Sequence, residues 1–168
     1  ISANPVITNV TCNGGNNGSI CLSPSGGVSP YTFAWSNSQT TSCITGLTAG
    51  TYTVIINDAA GCDYTVIINI GQPTLLSVTP SSSNITCNGD CNGTASVVVT
   101  GGTFPYTYSW NTSSPLPSIV GLCPGTYSVL VTDNLGCTDT NNFVITQPSV
   151  LTSALTSTNI TCNGNCDG

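Results

Sequence analysis

The chain has 168 residues, with no Lys, Arg or His, and its six acidic residues are all Asp, giving a formal charge of −6. Without cations to neutralise phosphates, a nucleic-acid partner and an anionic membrane surface are excluded. Without His, Lys or Glu, the usual general bases and activated nucleophiles are missing, so no catalytic residue, no enzyme and no cofactor is expected.

The first apolar stretch, from Val6 to Thr11, reads as a short strand that ends in Thr11-Cys12-Asn13-Gly14. Asn13 to Gly18 is a turn, because Gly and Asn tolerate positive φ. Ser19 to Ser23 is the next strand, and Ser25-Gly26-Gly27 turns the chain again. Tyr31 to Trp35 alternates aromatic with small residues, the period of a half-buried strand, and Trp35 reads as core. Thr40 to Thr45 is a further short strand. Gly50 to Asn57 and Tyr64 to Ile70 form a closing hairpin across Asp58-Ala59-Ala60-Gly61. Tyr52, just after Gly50, has the placing of the tyrosine corner of immunoglobulin-like sandwiches.

The whole series then repeats at an offset of 75 residues, without a gap. Thr-Cys-Asn-Gly returns at Thr86 and Thr161, Trp35 as Trp110, Tyr52 as Tyr127, Asp58 as Asp133, Gly61-Cys62 as Gly136-Cys137, and Gln72-Pro73 as Gln147-Pro148. A fixed period of this length means tandem domains. The expected units are 1–73, 74–148 and the opening strand and turn of a third copy at 149–168, as if cut from a longer array. Each is an all-β, immunoglobulin-like sandwich of some six or seven short strands. Pro80 is expected to split the first strand of the second unit at a sheet edge. So short a connection at Gln72-Pro73 predicts end-to-end stacking into a rod. No run is long and apolar enough to span a bilayer as a helix, so any export signal or anchor is expected outside these residues.

Ten cysteines point to disulfides and an oxidising compartment. Cys12 and Cys62 keep register with Cys87 and Cys137. Cys21 and Cys43 face Ser96 and Ser118 in the second copy, whereas Cys91 and Cys123 face Asn16 and Thr48 in the first. The shifting cysteines move as pairs, so the comparison predicts Cys12–Cys62, Cys21–Cys43, Cys87–Cys137 and Cys91–Cys123. Cys162 and Cys166 match Cys87 and Cys91, so their partners are expected beyond Gly168. Metal binding by Cys87 and Cys91 lacks a second pair or any His, so no metal site is assigned.

Asp58 and Asp133 read as caps of the hairpin turns, since calcium needs more oxygens than one Asp per turn supplies. Asp90, Asn92, Asn165 and Asp167, in the Cys-x3-Cys loops, receive the same reading. Asn-x-Ser/Thr triplets occur at Asn9, Asn17, Asn84, Asn92, Asn111 and Asn159, and a hydroxyl-rich surface without cations suits covalent glycans. Ile55, Ile67 and Leu130 are expected to point outward, either as a lateral contact between arrays or as scattered exposed residues.

Thr-Cys-Asn-Gly, an Asn-Gly or Asp-Gly turn, Pro-Tyr-Thr-x-x-Trp, Gly-Leu-x-x-Gly-Thr-Tyr, Val-Thr-Asp-x-x-Gly-Cys and a closing Gln-Pro together resemble the SprB-type repeat. Long secreted surface adhesins of Bacteroidota, gliding-motility adhesins among them, carry it. Val54 to Asp58 and Gly26 to Pro30 deviate mildly from the pattern. The resemblance implies tandem immunoglobulin-like domains, export (often by the type IX route), an extracellular or cell-surface location and no catalytic residues. The expected function is a disulfide-rigidified stalk or filament shaft whose partners are neighbouring repeats. The alternative is an adhesive module that binds carbohydrate or another surface.

Overall fold

The structure, a computed structural model, describes residues 1–157. Among the described residues, twelve strands fall into two halves of six. The first half holds β1 (Pro5–Thr8), β2 (Gly18–Leu22), β3 (Thr32–Trp35), β4 (Cys43–Leu47), β5 (Gly50–Asn57) and β6 (Asp63–Ile70). The second repeats them as β7 (Ser77–Ser83), β8 (Gly93–Thr100), β9 (Thr107–Trp110), β10 (Ser118–Leu122), β11 (Gly125–Thr132) and β12 (Thr138–Ile145).

Every pairing is antiparallel. In the first half the sheets are β1-β2-β4 and β3-β5-β6, and in the second β7-β8-β10 and β9-β11-β12. Each half is therefore an immunoglobulin-like sandwich, two three-stranded sheets with alternate side chains turned inward. Val54 and Ile56 on β5, like Val129 and Val131 on β11, are wholly buried, and the residues between them face out. Ile20 and Ile44 complete the first core from the facing sheet, and Ala95 and Ile119 the second.

Trp35 and Trp110 are core residues on the third strand of each half, buried to 4% and 3% exposure. Their indole N–H groups donate to the carbonyls of Thr41 (2.9 Å) and Leu116 (2.7 Å), which satisfies the one polar atom that burial would otherwise orphan. The tyrosine corners are present: Tyr52 donates its hydroxyl to Thr48 O at 3.1 Å and Tyr127 to Cys123 O at 3.0 Å. Pro80 does not split its strand. β7 runs unbroken from Ser77 to Ser83, because Pro80 lies on an edge strand, where a missing N–H leaves no ladder bond unmade.

Candidate functional site

Each sandwich has two poles, and where two of them meet, polar bonds and a disulfide gather at one junction. At the exit pole of the first half, the Thr-Cys-Asn-Gly loop is clasped internally. Asn17 accepts from Thr11 N at 3.0 Å and donates to Thr11 Oγ1 at 2.7 Å. The closing Gln-Pro is then fastened onto this loop. Gly14 N donates to Gln72 Oε1 at 2.8 Å, and Asn13 Nδ2 donates to Pro73 O at 3.0 Å. Asn9 accepts from Gly71 N at 2.9 Å. The second half repeats the arrangement with Asn92 on Thr86, Gly89 on Gln147, Asn88 on Pro148 and Asn84 on Thr146. These bonds hold the chain where it leaves one sandwich. Sequence reasoning noted the motif residues but not this role; the signal was the equal offset of Asn-Gly and Gln-Pro in both copies.

At the entry pole of each sandwich, an aspartate organises the hairpin turn. Asp58 accepts from the N–H groups of Val28, Ala60 and Cys62 at 2.9–3.0 Å, and Asp133 from Thr103, Leu135 and Cys137 at 2.9 Å. The Cys62 and Val28 donors hold Asp58 below the usual aspartate pKa. Burial pushes Asp133 up, but the donors of Thr103, Cys137 and Leu135 outweigh it and the net shift is downward. Both carboxylates are occupied as turn caps. Gly102, at φ +62°, passes so close that a Cβ there would lie 2.9 Å from Leu76 Cδ1 and 3.0 Å from Asp133 Oδ2. Only glycine meets both the dihedral and the approach.

The exit pole of the first half and the entry pole of the second are joined by a disulfide between Cys12 and Cys137, with Cα atoms 5.6 Å apart. Together with Leu76, Gly102 and Asp133, these cysteines line a cavity of about 290 Å³ at the junction. This corrects the pairing expected from sequence. Cys12 is not bonded to Cys62, nor Cys87 to Cys137, and Cys62 and Cys87 are both exposed thiols without a disulfide partner among the described residues. The physical reason is distance. Val10 N bonds Gly71 O, at the end of β6, while Cys62 precedes the start of that eight-residue strand. Two cysteines at opposite ends of such a strand are separated by roughly 27 Å, far beyond disulfide reach.

The shifting cysteines tie the same pair of strands in each half: Cys21 is bonded to Cys43 between β2 and β4, and Cys91 to Cys123 just outside β8 and β10. Cys162, Cys166, Asn159, Asn165 and Asp167 lie outside the described residues. Among the remaining sequons, Asn17, Asn92 and Asn111 already donate their Nδ2 to Thr11, Thr86 and Thr126, whereas Asn9 and Asn84 are exposed and make their recorded bonds through Oδ1. Ile55, Ile67 and Leu130 face outward, at 41%, 68% and 39% exposure. The position matching Ile67 is Asn142, so this apolar pair on β5 and β6 does not recur.

A family model described as the SprB repeat matches residues 4–40 and 79–115, in each half from the region of the first strand to just past the buried tryptophan. The chain carries two SprB repeats. No curated protein matches it. Among solved structures it is similar to the amphioxus IgVJ-C2 molecule, with 13% identity and a TM-score of 0.39 over 82% of this chain and all of that one. A C-terminal intimin fragment in complex with the intimin-binding domain of the translocated intimin receptor aligns at 14% identity and a TM-score of 0.44, over 88% of this chain and 64% of that one. Murine CEACAM1b aligns at 11% identity and a TM-score of 0.34, over 88% of this chain and all of that one. The SprB repeats and the disulfides are consistent with an extracellular or surface location.

Proposed function

We propose that this segment is the shaft of a surface adhesin or filament, a stiff spacer whose units are the repeats at 1–73 and 74–148. The observation that carries the reading is the Cys12–Cys137 bond, which crosses the junction beside the peptide link and removes the freedom of a single-strand hinge. The hydrogen-bonded exit segment at Gln72 and Pro73 and the buried Leu76 support it, because they leave no slack linker between the sandwiches. The composition points the same way, since it offers no His, Lys or Glu for catalysis.

Small-angle scattering of the oxidised chain tests the proposal. A rod of roughly 70–80 Å is expected from strand lengths plus turns. Cys12→Ser should broaden the distance distribution while both sandwiches stay folded. An oxidised chain that scatters as a compact, folded-back pair would overturn the shaft.

The adhesive reading is favoured by one feature of the second half. A cleft of about 470 Å³ there is lined by Leu116, Val120 and Tyr127, while Thr41 and Thr45 stand at the first two positions in the first half. Binding of neutral oligosaccharides that is abolished by Val120→Asp would support it, and an inert cleft would leave the shaft alone.

A further inference from the structure

The Cys12–Cys137 bond is a relation between neighbouring repeats, so the 75-residue register also says where the next such bonds belong. Cys87 is the counterpart of Cys12, and Cys62 that of Cys137. We propose that Cys87 and Cys62 are the two half-sites of a repeat-to-repeat disulfide ladder: Cys87 takes the Gly-Cys cysteine of a following repeat, and Cys62 the Thr-Cys-Asn-Gly cysteine of a preceding one. The inference deepens the shaft reading and rests on it.

Three observations besides the thiols carry it. The exit pole of the second half is already built as at the occupied junction, with Asn88 on Pro148 at 2.9 Å and Gly89 on Gln147 at 3.0 Å, against 3.0 and 2.8 Å for Asn13 and Gly14. Cys87, Pro148 and Leu151 line an open cavity of about 360 Å³ there, the counterpart of the junction cavity without its far wall. At the other end, Ile1 stands where Leu76 does and meets Gly27 as Leu76 meets Gly102. The entry pole around Cys62 therefore has the shape that accepts an exit pole. A repeat of this same kind fits the open wall at Cys87, because the Cys12–Cys137 junction is made by two such repeats.

Formation of each bond is an oxidation. Two thiols lose two protons and two electrons to a disulfide oxidant, for which oxidised glutathione serves in the test and leaves as two glutathione molecules. The decisive protein is the 168-residue chain followed by a second copy of residues 94–148, which completes in register the repeat begun at Ser149. After oxidation, chymotryptic peptides are mapped by mass spectrometry, since the chain offers trypsin no site, and Thr140→Ser in the copy alone gives its Cys137 peptide a mass of its own. The expected product links Cys87 to the copied Cys137 and keeps Cys12 on the original Cys137. Cys87 left as a thiol with Cys12–Cys137 intact overturns the ladder and leaves the shaft standing. Cys87 bonded to the original Cys137 overturns both.

A second measurement does not depend on the added repeat folding. Chains carrying Cys162→Ser and Cys166→Ser are oxidised as mixtures of a Cys62→Ser form and a Cys87→Ser form. Head-to-tail Cys62–Cys87 dimers should exceed the symmetric dimers by about tenfold, as pole recognition requires. From an equimolar mixture, a statistical 1:2:1 yield, with the Cys62–Cys87 dimer only about twice either symmetric dimer, would mean random thiol pairing and overturn the proposal.

Discussion

The two halves differ most where a disulfide ties two strands of one sheet, and agree most where repeats meet. Cys21–Cys43 joins directly opposed residues of β2 and β4, and in the second half that cross-strand pair is Ser96 opposite Ser118. Cys91–Cys123 ties the same two strands, β8 and β10, from just beyond their other end. Either end serves, because the bridge needs only to pin one ladder. The poles have no such latitude. Each motif there must meet a fixed partner, Gln-Pro the Thr-Cys-Asn-Gly loop of its own repeat and Cys12 the Gly-Cys of the neighbouring one, and all three motifs hold their register.

The cores differ more quietly. Trp110 meets Phe143 edge-on at 5.9 Å and Tyr127 stacks on Phe143 at 5.9 Å, whereas Ile68 occupies the matching place in the first half. On β12, Asp139 accepts from Val78 N at 2.8 Å and Asn141 donates to Val78 O at 3.1 Å, closing the sandwich edge with side chains. The first half has Tyr64 and Val66 at these positions; its Ser2–Ser25 bridge only continues the β1–β2 ladder, as Ser77 opposite Thr100 does for β7 and β8. The second half thus relies more on aromatic contact and edge polar bonds, the first on aliphatic packing.

The largest effect expected from breaking this comparison is Trp110→Ala, which should destabilise the second half by about 3–5 kcal/mol, as large-to-small core changes do. Trp35→Ala should cost about 0.5–1.5 kcal/mol less, for want of an aromatic neighbour at Ile68. Urea melts of the two variants check both figures. Next, Cys21→Ser with Cys43→Ser should weaken the first half alone by about 2–4 kcal/mol. Ser96→Cys with Ser118→Cys should close a bond in the second half and raise its melting temperature under oxidising conditions. Tyr52→Phe and Tyr127→Phe should each cost about 1 kcal/mol, the worth of one corner hydrogen bond, and equally in both halves.

The smallest effect is that of pH. Asp58 and Asp133 have folded pKa values below the unfolded aspartate value of about 3.9. Their contribution is present above that value and is lost as pH falls through the folded pKa. Melting temperature should hold from neutrality to mildly acid pH and drop below about 4, and Asp58→Asn should flatten the drop for the first half only.

Strand alternation at Tyr31–Trp35 and around Val54 and Ile56 made the sandwich legible, because one buried face imposes period two on a strand. The buried tryptophans, the tyrosine corners and the turn-capping aspartates were legible for similar local reasons. The junction was not. A periodic chain contains the same number of cysteines whether a register-holding pair closes within one repeat or reaches to the next, so counting cannot separate Cys12–Cys62 from Cys12–Cys137. What separates them is the length of β6, which sets Cys62 at the opposite pole from Cys12. Strand length was available from the sequence, but its bearing on the cysteines needed the loop to be placed beside Gly71.

The Cys12–Cys137 bond also decides how tension travels. The two cysteines are 125 residues apart in sequence. When the ends of the chain are pulled, force passes from Cys12 straight to Cys137 through sulfur, and the intervening polypeptide stays off the stressed path. Both tryptophans lie inside that closed loop. Under load such a segment can release only the residues outside the loop, β1 and β12 among them, while the other ten strands stay shielded.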